Sequence, residues 1–333
     1  MGAQLDALDP SVLDGATILP WAQYWAWRLC GVAASEITSL GCHTDLWLPM
    51  ENRPSPLARR RGWAARFAPL RKAEEVLGQL TPEWVRRTGL SPAVRIYCGL
   101  HDSNAALLAA RGFSEIADRE ASLLSTGTWF VAMRTLADDA DALTLAESRD
   151  CLINVDVNGR PVPSARWMGG REAELLMGID TAEDELGWPA LQAATAQVLA
   201  KDIMVMPSFA PGTGPFPTHI GGWNKEPADP IERRAAVQLY LALVTDVSLQ
   251  LIGTKGRLLV EGRFAESPLF LASLAALRPD LSIYAANLHN GVSYGVLRLL
   301  QPDLPPLSGL ARVESLPHDL PAYRQRWMRE VAA

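Results

Sequence analysis

The stretch IYCGLHDSNAAL, residues 96–107, places an aspartate between an apolar run and a run of small residues. Asp102 follows a strand candidate at 93–100 and precedes a helix candidate, so backbone N–H groups and the helix dipole favour its ionised form. A carboxylate so placed suits a general base that takes the proton of a hydroxyl as the hydroxyl attacks phosphorus. His101 and Ser103 lie beside it and can hydrogen-bond that hydroxyl. The same pattern is typical of a helix N-cap, and the two roles are compatible.

Two glycine-bearing turns have the composition that lets backbone approach an anion closely. In LSTGTW, residues 124–129, small residues join two strands, so the N–H groups around Gly127 and Thr128 can face a phosphate. In VEGRFAES, Gly262 follows a strand and precedes a helix, which leaves bare backbone for a nucleotide beside Arg263. Each pattern is also typical of an ordinary turn: a hairpin turn in the first case, a tight strand-to-helix turn in the second.

Residue patterning predicts the elements that carry these groups. Residues 117–135 form two apolar runs around the first turn and predict a β-hairpin. Residues 207–223 are dense in proline and glycine and predict a long ordered loop. Residues 231–253 predict an amphipathic helix with one buried face. Strand and helix then alternate to residue 300, which indicates an α/β architecture.

One further helix carries several aromatic residues. The segment LPWAQYWAWRLCG, residues 19–31, predicts a helix that ends at Gly31. Trp21 and Trp25 lie one turn apart, and we expect both in the core.

Composition bounds the class of protein. The 333 residues are 48% hydrophobic and 20% charged, as in a globular protein of two domains or one large domain. The net charge of −6 argues against a nucleic-acid partner, despite a basic cluster at 58–67. The four cysteines form no CxxC pair, which predicts reduced thiols rather than disulfides or a zinc site. The sequence shows neither a signal peptide nor an apolar run of membrane-spanning length, so we expect a soluble cytoplasmic protein without a membrane partner.

The motifs, read in order, are similar to those of a known family. The run GLHDSNAAL, LSTGTW, FAPGTGPFP, LLVEGRFAESPLFLASLAALRP and GVSYGVLRLL resembles the FGGY family of carbohydrate kinases over nearly the whole chain. The His before the Asp is most similar to its rhamnulokinase and fuculokinase members. The resemblance implies an α/β, actin-like, ribonuclease H-like fold of two lobes that close on a cleft. Residues 1–115 would then be the remainder of the N-terminal, sugar-binding lobe, and 116–333 the C-terminal, nucleotide-binding lobe.

The resemblance also implies roles for the residues that are expected to contact the sugar. Asp102 becomes the catalytic base, and His101 and Ser103 become its substrate-binding neighbours. Arg166, in SARWMGGREAE, is the nearest candidate for a further polar contact to the substrate. The segment CHTDLW, residues 42–47, offers polar groups and a tryptophan face to a sugar, with ordinary packing as the alternative.

On the nucleotide side, the resemblance implies ATP and Mg²⁺. Gly127 and Thr128 belong to its second phosphate motif, and Gly262 belongs to its adenosine motif. Arg263 stands where the family usually has a second glycine, and its guanidinium would either stack on adenine or narrow the pocket. Residues 1–20 lack the Asp, Gly and Thr motif with which family members begin, so we expect the front of the N-terminal lobe to be absent. The strand edges and apolar surface left behind would favour association as a homodimer.

The expected activity is therefore transfer of the γ-phosphoryl group of ATP to a small sugar. The expected acceptor is a ketose or deoxyketose such as L-rhamnulose or L-fuculose. The alternative is a catalytically impaired remnant that binds sugar or nucleotide or serves as an interaction module. An ATPase of the same superfamily is disfavoured, because such proteins do not need the HDSN pairing.

Overall fold

The computed structural model of the protein describes residues 15–42, 44–117, 119–136, 144–178, 187–286, 291–306 and 308–332. Up to residue 116, its helices and strands are α1 (Trp21–Cys30), α2 (Ile37–Gly41), β1 (Trp47–Leu48), β2 (Arg53–Pro54), α3 (Pro56–Arg60), β3 (Val76–Gln79), α4 (Pro82–Thr88), β4 (Arg95–Tyr97) and α5 (Asp102–Ala110). The later elements are β5 (Ala121–Thr126), β6 (Phe130–Thr135), β7 (Cys151–Val155), β8 (Pro161–Trp167), α6 (Gly169–Met177), α7 (Trp188–Ala200), β9 (Val205–Met206), β10 (Gly222–Trp223), α8 (Pro230–Leu251), β11 (Arg257–Gly262), α9 (Pro268–Leu277), β12 (Ser282–Ala286), α10 (Gly291–Leu300), β13 (Ala311–Arg312) and α11 (Leu320–Ala332).

The chain divides into two compact units that interleave along the sequence. The first unit comprises Met1–Ala109, Ile153–Val162 and Val292–Leu304, and the second comprises Ala110–Leu152, Pro163–Gly291 and Pro305–Ala333. The chain therefore passes between the units more than once.

A mixed sheet forms the frame of the second unit. Within the described residues its strand order is β13-β12-β11-β5-β6-β8-β7. Strand β11 runs parallel to both β5 and β12, whereas β6 is antiparallel to β5, as the predicted hairpin requires. Because β5 and β11 run parallel, the ends of these strands, which carry the two predicted nucleotide turns, lie side by side.

The core of the second unit packs on this sheet. Phe130, at the start of β6, is fully buried, and its ring lies 5.0–5.8 Å from the rings of Trp167, Phe264 and Phe270. The long helix α8 was predicted to bury one face, and this prediction was wrong. Its residues are buried on all sides from Ala235 to Leu249, because helices α6, α7 and α9 pack around it. Such a helix is a core element rather than a surface one.

In the first unit, α10 supports the helix that begins at Asp102. A Cβ atom built on Gly295 of α10 would lie 1.7 Å from the backbone oxygen of Ala105, so the two helix backbones meet with no room for a side chain. Arg298 adds a hydrogen bond from its Nε to the oxygen of Leu108, at 3.2 Å. The helix that carries the candidate base is thus held along its length.

Helix α1 forms where it was predicted but turns its other face inward. Gln23 and Ala26 are buried, whereas Trp21 is 72% exposed and Trp25 is 45% exposed. The prediction that these tryptophans lie in the core was therefore wrong. The two tryptophan rings meet edge to face at a centroid distance of 5.8 Å instead, and Trp21 also stacks parallel on Tyr24 at 5.6 Å.

All four cysteines are free thiols, as predicted. None of the helices in the described ranges combines the length and the apolar character needed to cross a lipid bilayer.

The two aromatic environments predict different costs of substitution. We expect Phe130→Ala to lower the free energy of unfolding by about 3–5 kcal/mol, because it empties the centre of a packed aromatic cluster. Trp21→Ala removes a larger ring from the surface and should change the same quantity by less than about 1 kcal/mol. Urea denaturation followed by circular dichroism measures both. A loss at Trp21 that matches the loss at Phe130 would contradict this assignment of core and surface.

Candidate active site

Asp102 is the first residue of helix α5. The backbone oxygen of His101 accepts the first intrahelical hydrogen bond, from Ala105 N at 3.0 Å, so His101 occupies the capping position. The predicted cap was thus one residue too late in the chain. As a first-turn acid Asp102 still benefits from the positive end of the helix dipole. Its side chain is 72% exposed, so a substrate can reach the carboxylate.

His101 and Asp102 form an ion pair. His101 Nδ1 lies 2.9 Å from Asp102 Oδ1, which also accepts the backbone N–H of Ser103 at 2.6 Å. The hydrogen bond from His101 lowers the pKa of Asp102 to about 2, against the opposing effect of burial. Burial on its own lowers the pKa of His101, but the bonds to Asp102 and to the thiol of Cys42 outweigh it and raise the pKa to about 10. Both groups are therefore charged near neutral pH.

A buried polar cluster positions the loop before Asp102. Gln23, on the inner face of α1, donates from Nε2 to the backbone oxygens of Cys98 at 3.2 Å and Gly99 at 3.1 Å. On another side the N–H of His101 donates to Thr38 Oγ1 at 3.0 Å, and Thr38 donates to Glu36 Oε2 at 2.6 Å. The loop is thus tied to both α1 and α2.

Glu36 is the buried end of this cluster. It is 1% exposed, and burial raises the pKa of its carboxyl group, while the hydrogen bonds from Thr38 and Ser39 oppose the rise. Sequence reasoning missed Gln23, Glu36 and Thr38. The available signal was the alternation of polar residues inside otherwise apolar segments, which does not identify their partners.

The predicted phosphate turn and the predicted adenosine-motif glycine lie next to each other in the second unit. Thr126 at the end of β5 pairs with Gly262 at the end of β11. Thr126 Oγ1 donates to the oxygen of Glu261 at 2.5 Å and accepts the N–H of Phe264 at 2.9 Å, so one hydroxyl joins the two strand ends. Gly127 and Thr128 beyond it are exposed.

Gly262 is required by its backbone. Its φ of +83° lies in the left-handed region, and an added Cβ atom would come within 2.5 Å of the oxygen of Thr126. The strand-to-helix turn is thus tight, and no side chain covers its backbone at Gly262. The two interpretations left open for it, a structural turn and a nucleotide rest, are compatible in this geometry.

The start of helix α6 packs against the turn that contains Gly127 and Thr128. A Cβ atom built on Gly170 would lie 2.0 Å from the oxygen of Gly127, and one built on Gly169 would lie 2.7 Å from the ring of Phe130. Arg171 N donates to the oxygen of Thr128 at 3.3 Å. Sequence reasoning missed this glycine pair, although MGGRE carries the signal: two adjacent glycines at a helix start indicate close backbone approach.

The two predicted arginines are engaged by carboxylates. Arg263 Nη1 donates to Glu174 Oε1 of α6 at 3.3 Å, and its guanidinium lies over the ring of Phe264. Arg166 Nε donates to Asp150 Oδ1 at 3.0 Å, and its guanidinium lies 5.0 Å from the ring of Trp129, which ends the predicted phosphate turn. The second unit therefore places Arg263 beside Gly262 and Arg166 beside Trp129.

The segment 42–47 separates into parts with different environments. Trp47 is 7% exposed, which agrees with the packing alternative rather than with a free ring face. Thr44 accepts the N–H of Leu46 at 3.1 Å within the same turn. His43 lies outside the described residues.

Comparison with known proteins identifies the family to which the chain belongs. The family model for the C-terminal domain of FGGY carbohydrate kinases matches residues 118–306, which is more than half of the chain. A carbohydrate kinase from Novosphingobium aromaticivorans is 57% identical over 98% of this chain and 72% of its own, with a TM-score of 0.87. The chain belongs to the FGGY family of carbohydrate kinases, and the predicted actin-like, ribonuclease H-like fold is confirmed.

More distant solved structures share the fold alone. The xylulose kinase from Rhodospirillum rubrum is 18% identical over 99% of this chain and 69% of its own, with a TM-score of 0.69. The glycerol kinase from Plasmodium falciparum, solved with ADP, is 11% identical over 99% of this chain and 70% of its own, with a TM-score of 0.71. A search of the curated proteins finds no match.

The ion pair predicts a defined pH dependence. The pKa of His101 is raised from 6.5 to about 10, so its contribution to stability is complete below pH 6.5 and is lost as the pH rises toward 10. The pKa of Asp102 is lowered from 3.8 to about 2, so its contribution is complete above pH 3.8 and is lost as the pH falls toward 2.

We therefore expect the unfolding midpoints of the wild type and Asp102→Asn to differ most between pH 3.8 and 6.5. In Asp102→Asn the NMR titration of His101 should move to a lower pH, because its hydrogen-bonded counter-charge is gone. A His101 resonance that titrates at 6.5 or below in the wild type would show that the pair does not form.

The contact at Gly170 predicts a severe effect of one methyl group. Gly170→Ala places a carbon where the oxygen of Gly127 stands, so either α6 or the turn must shift. We expect a loss of stability of about 1–3 kcal/mol, measured by urea denaturation, together with weakened nucleotide binding. Gly222→Ala is the matched control, because an added Cβ atom there meets nothing within 4 Å. Equal behaviour of the two variants would refute the contact.

Proposed function

We propose that the protein transfers the γ-phosphoryl group of ATP to a hydroxyl of a small sugar, with Asp102 as the general base. The observation that carries this proposal is an exposed, ionised carboxylate at the start of α5, in a loop that buried polar groups tie to two helices. The membership in a carbohydrate kinase family and the paired glycine turns of the second unit support it.

The proposed proton transfer uses the free side of Asp102. Oδ1 is occupied by His101 and Ser103, whereas Oδ2 has no hydrogen-bond partner in the described part of the chain. The acceptor hydroxyl gives its proton to Oδ2 while its oxygen forms a bond to the γ-phosphorus. The bond from that phosphorus to the bridging oxygen breaks, and ADP leaves with the electron pair. A pKa near 2 keeps Asp102 ionised and ready to orient the hydroxyl throughout the neutral range.

The neighbours of Asp102 are proposed as sugar contacts. His101 and Ser103 present a ring and a hydroxyl on the same turn as the base. Arg166 is included in this set, and in the structure its Nε is held by Asp150. We propose that the lobe of residues 1–115 binds the sugar and that the lobe of residues 116–333 binds the nucleotide.

The nucleotide half relies on backbone donors. Gly127 and Thr128 are proposed to hold phosphate oxygens at this exposed turn. The N–H of Gly127 already donates to the oxygen of Trp129 at 3.0 Å, so the N–H of Thr128 is the proposed backbone donor. Gly262 is proposed to hold the adenosine part against bare backbone. Arg263 adds a positive charge at the same edge, although Glu174 shares it.

We propose that Mg²⁺ enters with ATP as part of the substrate. Magnesium is usually held by one or two carboxylates together with substrate phosphates rather than by a cage of protein ligands. In the described ranges, no three His, Cys, Asp or Glu side chains cluster closely enough to form such a cage.

The proposed acceptor is a ketose or deoxyketose, with L-rhamnulose and L-fuculose as first candidates. The order His101–Asp102 supports this choice, because a histidine directly before the aspartate is most similar to the rhamnulokinase and fuculokinase members of the family. The solved structures with the same fold include xylulose, glycerol and gluconate kinases. Xylulose, glycerol and gluconate therefore join L-rhamnulose and L-fuculose in the panel of candidate acceptors to be tested.

A single-turnover assay with γ-labelled ATP and this panel tests the proposal. We expect labelled sugar phosphate from at least one ketose, and a decrease in rate of about 10²–10⁴ in Asp102→Asn. Asp303→Asn is the control, because Asp303 is an exposed aspartate of the same unit. Ligand binding by calorimetry without any product would support the impaired remnant instead. Hydrolysis of ATP that does not depend on sugar would support an ATPase.

A further inference from the structure

A buried carboxylate belongs to the helix whose start contacts the proposed phosphate turn. Glu172, in the first turn of α6, is 2% exposed. Ser208 donates from Oγ to Glu172 Oε1 at 3.0 Å, and the hydroxyl of Tyr240 donates to Glu172 Oε2. Burial of a carboxylate is costly unless its oxygens are hydrogen-bonded, and here each oxygen has a donor.

The three partners come from separate parts of the second unit. Glu172 belongs to α6, Tyr240 to the buried helix α8, and Ser208 to the proline-rich and glycine-rich loop of 207–223. Burial raises the pKa of Tyr240 well above its ordinary value, and the charge of Glu172 adds to that rise, so the phenol remains a donor. The carboxylate thus joins the long loop and the first turn of α6 to the most deeply packed helix of the unit.

Ser208 also organises the loop itself. Its Oγ accepts the N–H of Ala210 at 3.2 Å, and its backbone oxygen accepts the N–H of Gly221 at 2.7 Å, which closes the loop at its base. Farther along, Gly214 donates to Asp150 Oδ2 at 3.2 Å, and the same aspartate accepts a hydrogen bond from Arg166, whose guanidinium lies 5.0 Å from the ring of Trp129 at the end of the turn. The loop therefore connects to the surroundings of the turn at two points.

The first turn of α6 is in direct contact with the phosphate turn. Gly170 leaves no room for a Cβ atom against Gly127, and Arg171 N donates to the oxygen of Thr128. Glu172 follows these two residues in the same helical turn. Because Gly170, Arg171 and Glu172 belong to one helical turn, a shift of the helix backbone at Glu172 also moves the backbone that contacts Gly127 and Thr128.

We propose that Glu172 is a positioning residue for the nucleotide phosphates: by holding α6 to Ser208 and Tyr240 it sets the place of the Gly127–Thr128 turn. This inference rests on the proposed assignment of that turn to the phosphates of ATP. Glu172 acts through the turn and has no contact with substrate. Its effect should accordingly fall on ligands that carry phosphate and not on those that lack it.

Single-hydroxyl deletions test the inference without opening a large cavity. Ser208→Ala and Tyr240→Phe each remove one donor to Glu172 and keep the side-chain volume nearly constant. The matched controls are Ser248→Ala and Tyr323→Phe, which delete buried hydroxyls that donate to the backbone oxygens of Val244 and Ile203 in the same unit. Calorimetry on the full chain then gives dissociation constants for MgATP and for adenosine, and thermal unfolding gives stability.

We expect each test variant to weaken MgATP binding roughly fivefold to tenfold and to leave adenosine binding unchanged. The controls should lower thermal stability by a similar amount and leave both dissociation constants unchanged. Glu172→Gln keeps the shape and can still bond both hydroxyls, so it should lose less MgATP affinity than Glu172→Ala. In the kinase assay the KM for ATP should rise more than the KM for the sugar.

Three results would overturn the inference, and each can be distinguished from the others. If the wild type binds MgATP, and the test variants lose stability but keep wild-type MgATP affinity, then Glu172 serves stability alone and the proposed function stands. If the wild type binds no MgATP, the proposed function fails and this inference fails with it. Equal loss of affinity for MgATP and adenosine would likewise count against a role directed at the phosphates.

Discussion

The candidate nucleotide site depends on three backbone segments that lie too close together for side chains. Gly170 of α6 lies against the oxygen of Gly127, and Gly262 at the end of β11 lies against the oxygen of Thr126. Where side chains are excluded, the surface offered to a ligand is backbone, and backbone N–H groups that remain unbonded are good donors to an anion. The parallel register of β5 and β11 brings the two glycine turns together, so the geometry of the sheet and the chemistry of the site have one origin.

The first unit holds a charged side chain, that of Asp102, in a solvent-exposed position. Asp102 is largely exposed, and its carboxylate is kept ionised by His101 and by the start of α5. Exposed ion pairs contribute little to stability by themselves, so the loop needs another anchor. Gln23 and Thr38 provide it from buried positions on either side. Precision at the exposed group is thus obtained from polar contacts in the interior.

Two departures from expectation share one physical reason. The spacing of Trp21 and Trp25 shows that they share a face of α1, but it does not show whether that face is inside. The structure buries Gln23 instead, because the oxygens of Cys98 and Gly99 need a donor there. In the same way, the apolar residues at helical spacing in α8 predicted one buried face. Neighbouring helices pack around α8 and bury its other faces as well. Periodicity describes one element, and burial depends on all of them.

The sequence alone determined what is local: an acid at a helix start, a hairpin with a small-residue turn, the alternation of strand and helix, and motifs in the order of the FGGY family. These follow from neighbouring residues, because capping, turn conformation and strand preference act over a few positions. Tertiary structure alone decided the contacts between distant positions, such as Gly170 with Gly127, Gln23 with Cys98, and Glu172 with Tyr240. Each depends on the packing of separate elements, whose relative placement is set by the whole core and by no short segment.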